Sequence, residues 1–309
     1  MILRFCSTII LVALLSSTKV FAAACCGGGL TLPALIVGDE DAKFSVAISH
    51  TQILNDVGPD GIWYSRDRTE LNETLRLDAA KIFSDRWQAG ASLPVVRRSL
   101  AEQSSAGFGD LGMVLGYEVL PDWDYNPWRP HGTAFLDLVA PTGVSNDTSS
   151  APFTLDVRGR GYWSLGAGTV LTKIFGRFDT LASLEVHHSF VRTVELDGGT
   201  RATLHPGYGG ALTFGSGYND KKWRLGAALS WLYEDPIATV DALSGGSSSS
   251  LSDAGNAQRV ATASLSYNYL FEKDYSLSLA VADQTLFGSP ANTSLGRSIT
   301  LSAEKHWLR

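Results

Sequence analysis

From about residue 42 to the last residue, apolar and polar positions alternate along this chain. In Trp223-Arg224-Leu225-Gly226-Ala227-Ala228-Leu229-Ser230-Trp231 every odd position is apolar and every even one small or polar. Ile299-Thr300-Leu301-Ser302-Ala303-Glu304-Lys305-His306-Trp307 repeats the pattern, with mostly apolar or long-stemmed residues at the odd positions. A period of two belongs to a strand and sends alternate side chains to opposite faces of a sheet. The first clear segment is Phe44–Ser49. Others are read at 70–82, 86–94, 110–120, 132–141, 160–173, 177–191, 206–217, 222–234, 258–270, 274–286 and 297–308. That predicts twelve strands. Segments of about ten residues, alternating and separated by turn residues, predict an all-β fold, a transmembrane antiparallel up-and-down β-barrel over 42–309.

The connections give a second line of argument. Ser84-Asp85, the region of Ile174 to Arg177, Asn219-Asp220-Lys221 and Glu272-Lys273-Asp274 are short; Pro121 to Pro130 is a longer exception. Between them fall long polar stretches at 50–69, 95–109, 142–159, 192–205, 235–257 and 287–296. In bacterial outer-membrane barrels the short side is periplasmic and the long side extracellular. The Ser/Gly run Ser244–Ser250 has nothing to bury and is expected to be mobile. Phe83, Trp87, Phe175, Phe178, Trp223, Tyr275 and Trp307 fall beside short turns, and Trp163, Trp231 and Tyr233 near long ones. Rings with an apolar body and a polar handle suit the two water–lipid boundaries.

Composition agrees. Of 309 residues, 44% are hydrophobic and only 18% charged, below the roughly one-quarter charged of soluble domains. Arg4, the apolar run Ile9–Leu15 and Ala22-Ala23-Ala24 make residues 1–24 a cleaved signal peptide and imply export to the outer membrane of a Gram-negative cell. The mature chain then keeps Cys25 and Cys26. Cys25 as a lipid anchor lacks the Leu expected three residues earlier, and a soft-metal pair lacks further ligands nearby. A vicinal disulfide or two inert thiols in an oxidising compartment is preferred.

Alternation also assigns the interior. With Leu75, Leu77 and Ala79 towards lipid, Arg76 and Asp78 point inward, and the same parity turns Gln88, Glu118, Asp137, Asp179, Glu185, His187, Arg224 and Glu304 inward. Inward charge meets water or a partner, whereas Arg or Lys facing mid-bilayer lipid costs about 2–4 kcal/mol. These residues either line a solute path or form a salt-bridged filling. The acids outnumber Arg76 and Arg224, which favours cations over anions in an open lumen. The inward faces of the later strands, Ala228, Ser264 and Ser278 among them, are small and leave volume. Twelve strands enclose more than side chains alone fill, so either a narrow channel remains or the Gly-rich segment 25–41 folds inward as a plug.

Gly107-Phe108-Gly109-Asp110-Leu111, Pro141-Thr142-Gly143 and Arg158-Gly159-Arg160-Gly161-Tyr162 together resemble the bacterial outer-membrane transporter family named for the MetA pathway of phenol degradation. The last segment departs from that family's usual Gly-Thr-Gly. The pattern spans about residues 86–192. It implies a porin-like or FadL-like barrel passing small, hydrophobic molecules among its solutes. The alternative is a plugged structural barrel that binds a partner through its outer loops.

Enzymatic readings are weaker. His187-His188-Ser189 puts a His and a Ser on one face, but nothing at a fixed spacing orients the imidazole. His50 and His205 with Asp56 and Asp60 form no constellation. No nucleotide, cofactor or metal fingerprint is present in the sequence, so no catalytic, cofactor or metal residues are assigned. A net charge of -6 without a basic stripe gives no support to nucleic-acid binding. The expected partners are outer-membrane lipid and a small-molecule solute.

Overall fold

The computed structural model describes residues 33–38, 40–121, 126, 128–195, 201–242, 250–252, 257–272 and 274–308. The signal peptide, Cys25-Cys26 and Ser244–Ser249 lie outside them. The strands in chain order are β1 (Glu40–Val57), β2 (Trp63–Ile82), β3 (Trp87–Leu100), β4 (Gln103–Phe108), β5 (Leu111–Leu120), β6 (His131–Ala140), β7 (Ser164–Phe175), β8 (Phe178–Ser189), β9 (Arg192–Glu195), β10 (Arg201–His205), β11 (Tyr208–Asn219), β12 (Trp223–Glu234), β13 (Ala238–Ala242), β14 (Ser250–Ser252), β15 (Gln258–Glu272), β16 (Tyr275–Asp283) and β17 (Thr293–Leu308).

The thirteen strands of the main sheet close a barrel of twelve, because β4 and β5 both pair with β3 and act as one bent strand. The bend falls at Gly109-Asp110, the middle of the G-F-G-D-L segment. Every neighbour is antiparallel, and the seam is β1 against β17, from Glu40↔Leu308 to Val57↔Thr293. The expected architecture and strand count hold.

Register explains which face meets lipid. One cross-strand row runs Leu75, Ile48, Leu301, Leu279, Tyr267, Leu225, and all six are exposed. A continuous apolar belt of this kind is untenable in water and meets hydrocarbon at no cost. One residue over, the inward row Ala47, Ser302, Ser278, Asn268, Arg224 is buried and mostly polar. The protein is inside out relative to a soluble domain, as an outer-membrane barrel must be.

The long polar connections are not loops throughout, which corrects the sequence reading. The stretch 50–69 is a hairpin in which β1 and β2 run on to a turn at 58–62. The stretch 95–109 is the β3–β4 hairpin. Parts of 192–205 and 235–257 form a second, four-stranded sheet in the order β14-β13-β10-β9. Above the membrane both faces of a strand meet water, so nothing enforces an apolar face and the period-two signal vanishes while the backbone pairing persists. β7 also begins at Ser164 rather than 160, because residues 158–163 turn over the lumen.

Candidate functional site

The lumen is divided by the segment before β1 and by the loop after β6. Residues 33–38, just before β1, lie inside the barrel at its inner end. Leu35 and Ile36 are buried, and Leu35 and Val37 pack with the inward-facing Val114, Phe135, Val170 and Leu181. Two glycines make the seat. A Cβ at Gly90 would strike the Ala34 carbonyl, and one at Gly116 would come within 2.8 Å of the Leu35 side chain. Gln88 and Lys43 bind the segment's backbone.

Above this floor lies a chamber of about 730 Å³. Val96, Val114, Phe135, Val139 and Leu232 give it an apolar side, and Arg76, Asp137, Glu185, His187 and Glu234 a charged one. The charged side is built on one hydrogen-bonding row, Asp137↔Gly166↔His187↔Gly209↔Glu234. Glycine on the alternate strands is required there, because the side chains lie down over it. A Cβ at Gly166 would meet the Asp137 carboxylate, and one at Gly209 both His187 and Glu234. His187 Nδ1 lies 2.8 Å from Glu185 and Nε2 3.1 Å from Glu234, so neither ring nitrogen is left for Ser189. The Asp137 Oδ1 is buried without a hydrogen-bond partner among the described residues.

The roof is the segment after Pro141, and the three motif segments meet there. Asp110 of G-F-G-D-L accepts from the Gly143 N–H of P-T-G at 3.0 Å and from the Arg160 N–H at 2.7 Å. Thr142 Oγ1 donates to Gly109 O at 2.7 Å and accepts from Leu111 N at 3.0 Å. The bend in the fourth barrel strand thus carries the roof.

The nine charged residues assigned inward by parity fall into two groups. Arg76, Asp137, Glu185 and His187 line the chamber. Asp78, Glu118, Asp179, Arg224 and Glu304 belong to the inner-end half. There Asp78 accepts from Arg76 at 2.9 Å and Ser45 at 3.2 Å. Glu118 meets His131 at 2.7 Å, Arg224 donates to Asp179 at 2.7 Å from both Nε and Nη2, and Glu304 lies 3.6 Å from His306. Parity also reaches Arg98 and Glu234, which the sequence reading left out. Arg158 and Arg160 come from the roof, where no period assigns a face. With Arg98, Arg158 and Arg160 on the chamber wall, the surplus of acids that favoured cations no longer holds by simple count.

No family model and no curated protein matches the chain. Among solved structures it is similar in fold to an outer-membrane channel from Pseudomonas putida F1, with a TM-score of 0.67 and 14% identity over 88% of this chain and 97% of that one. The Pseudomonas putida toluene transporter TodX gives a TM-score of 0.46 with 12% identity, over 86% and 89% of the two chains. The KdgM porin gives 0.42 with 10% identity, over 84% and 98%. The class is an outer-membrane β-barrel of twelve strands.

Proposed function

We propose that the barrel is a channel for small amphipathic solutes, with residues 33–38 as a plug at its inner end. The observation that carries this is the chamber: a cavity of about 730 Å³ inside a membrane-spanning wall, apolar on one side and charged on the other. Its floor is not barrel wall but a short segment leading into β1, held by the packing of Leu35 and Val37 and by a few polar contacts. A floor of that kind can leave. A structural barrel needs no such chamber, and a filled lumen would stabilise it more. The fold shared with an outer-membrane channel supports the reading. So does the meeting of the three MetA-type motif segments at Asp110, because it gives them one task, roofing the lumen. The mixed lining suits an apolar body carrying a polar group.

Refolded protein in a planar bilayer should conduct, and proteoliposomes should swell in small aromatic solutes faster than in sugars of equal mass. A folded barrel that neither conducts nor swells, before or after removal of residues 33–38, would favour the surface-interaction alternative.

A further inference from the structure

A second cavity, of about 740 Å³, lies above the chamber between the roof and the small outer sheet, lined by Asp147, Val194, Ala202, Leu204 and Asp235 among others. The two share Gly159, Arg160, Tyr162 and Glu234. Of these four, Arg160 reaches from roof to wall by its side chain: Nη2 donates to Glu234 Oε1 at 2.6 Å, and Nη1 lies 3.3 Å from His187 Nε2. We propose that this ion pair is the gate between an outer vestibule and the lumen chamber, with Arg160 as the moving part. The proposal rests on the channel reading for its purpose, not for its geometry.

Three features make the pair a switch. First, the Arg160 backbone is pinned to Asp110 at 2.7 Å while its side chain is 47% exposed, so the guanidinium can swing without moving the roof. Second, the pair is open to water on its Arg160 side only, so water competes for the guanidinium while Glu234, 15% exposed, stays in place. Third, each partner has somewhere to go. Glu234 keeps His187 at 3.1 Å. Arg160 would turn towards the vestibule carboxylates, of which Asp235 makes no ion pair among the described residues and accepts only from the Tyr208 N–H at 2.8 Å and the Tyr233 hydroxyl at 2.9 Å.

The open state has a charge preference. With Arg160 gone, the opening is edged by Glu234, and the same row leads past His187, held between Glu234 and Glu185, to Asp137, whose carboxylate has no ion-pair partner among the described residues. A small organic cation therefore competes with Arg160 for Glu234 and meets a free carboxylate beyond it. Arg158 is a counterweight. It makes no ion pair among the described residues, but its guanidinium lies over Gly107 of β4, away from the gate row.

The test reads access to the chamber directly. In the full-length barrel with Cys25 and Cys26 replaced by serine, Ala211→Cys places a thiol on the chamber wall. Its reaction with externally added methanethiosulfonates, one carrying trimethylammonium and one sulfonate, is timed in proteoliposomes. Arg160→Ala and Arg160→Glu should each speed labelling by about tenfold, the shift expected from losing an interaction of roughly 1.4 kcal/mol. The trimethylammonium reagent should gain more. The swapped pair Arg160→Glu with Glu234→Arg should return labelling towards the original rate, which a merely structural role for Arg160 does not predict. Rates insensitive to Arg160, or no rescue by the swap, overturn the gate. A larger gain for the sulfonate keeps the gate and overturns the cation preference, transferring selectivity to Arg158. Labelling that obeys the gate in a barrel that never conducts keeps the gate and overturns the channel.

Discussion

Gln88 holds Ile36 by both sides of one residue: its Oε1 accepts from the Ile36 N–H at 2.7 Å and its Nε2 donates to the Ile36 carbonyl at 3.0 Å. This is the pairing that a neighbouring strand would make, supplied by one side chain from the wall. It satisfies the backbone of a segment that has left the sheet, where an unmatched buried amide costs about 1–3 kcal/mol.

The proposed plug should therefore come loose at two positions. Gln88→Ala removes the clasp, and Gly90→Ala puts a methyl group where the Ala34 carbonyl sits. Either should raise single-channel conductance towards that of a barrel lacking residues 33–38. Conductance equal to the parent in both would mean that the segment does not block the path.

Wall register is tested on β12. Ala227 is exposed towards lipid and Ala228 faces the lumen. Ala227→Arg should lower refolding stability by about 2–4 kcal/mol if it lies near the midplane, and Ala228→Arg by less. The opposite order in a urea titration into lipid would contradict the register.

Asp179 and Arg224 are both buried, bonded twice at 2.7 Å, and Asn219 adds a third contact to Asp179 at 2.6 Å. Asp179→Ala alone should cost about 3–5 kcal/mol by leaving a buried guanidinium without its acid. The double variant with Arg224→Ala should cost less than the sum of the singles. Additive losses would show that the pair is not coupled.

In the roof, the Ser149 hydroxyl and the Ser150 N–H, at 3.0 Å, hold the Asp156 carboxyl below its ordinary value of 3.8. A lowered folded-state value means that this tie is fully present above the ordinary value and is lost as pH falls through the lower one. Pepsin nicking next to Phe153, which is exposed, should be faster in Asp156→Asn than in the parent at about pH 4–5. The difference should shrink as the pH falls further. A ratio that does not change with pH would remove Asp156 from the loop's support.

Fold and wall were legible because the bilayer enforces them. In β12, lipid on one side and polar lumen on the other leave a strict alternation from Trp223 to Trp231, broken at Leu232 where the chamber turns apolar, and simple parity places Arg224, Glu234 and Ala227 correctly. The site was half legible. His187 and Asp137 follow from parity, but the glycines at 166 and 209 that let them lie in one row carry no such meaning until the register aligns them. Arg160 was out of reach, since roof residues follow no period and their positions depend on Asp110, fifty residues earlier. The hairpin above the membrane at 50–69 was hidden for the converse reason: pairing survives there without any apolar face.

The seam between β1 and β17 has a consequence for assembly. The first and last strands of the wall are partners, so every intermediate before that pairing carries two unsatisfied edges, each a template for a wrong neighbour. Its contacts span nearly the whole wall in sequence, which makes closure the slow step. The residues just before β1 enter the barrel from its inner end, so the seam that sets Glu40 against Leu308 also sets where that segment starts. Closing the barrel thus delivers the segment to its mouth, and a chain that closes with the segment still outside is an open barrel with an empty seat at Gly90 until the segment folds in.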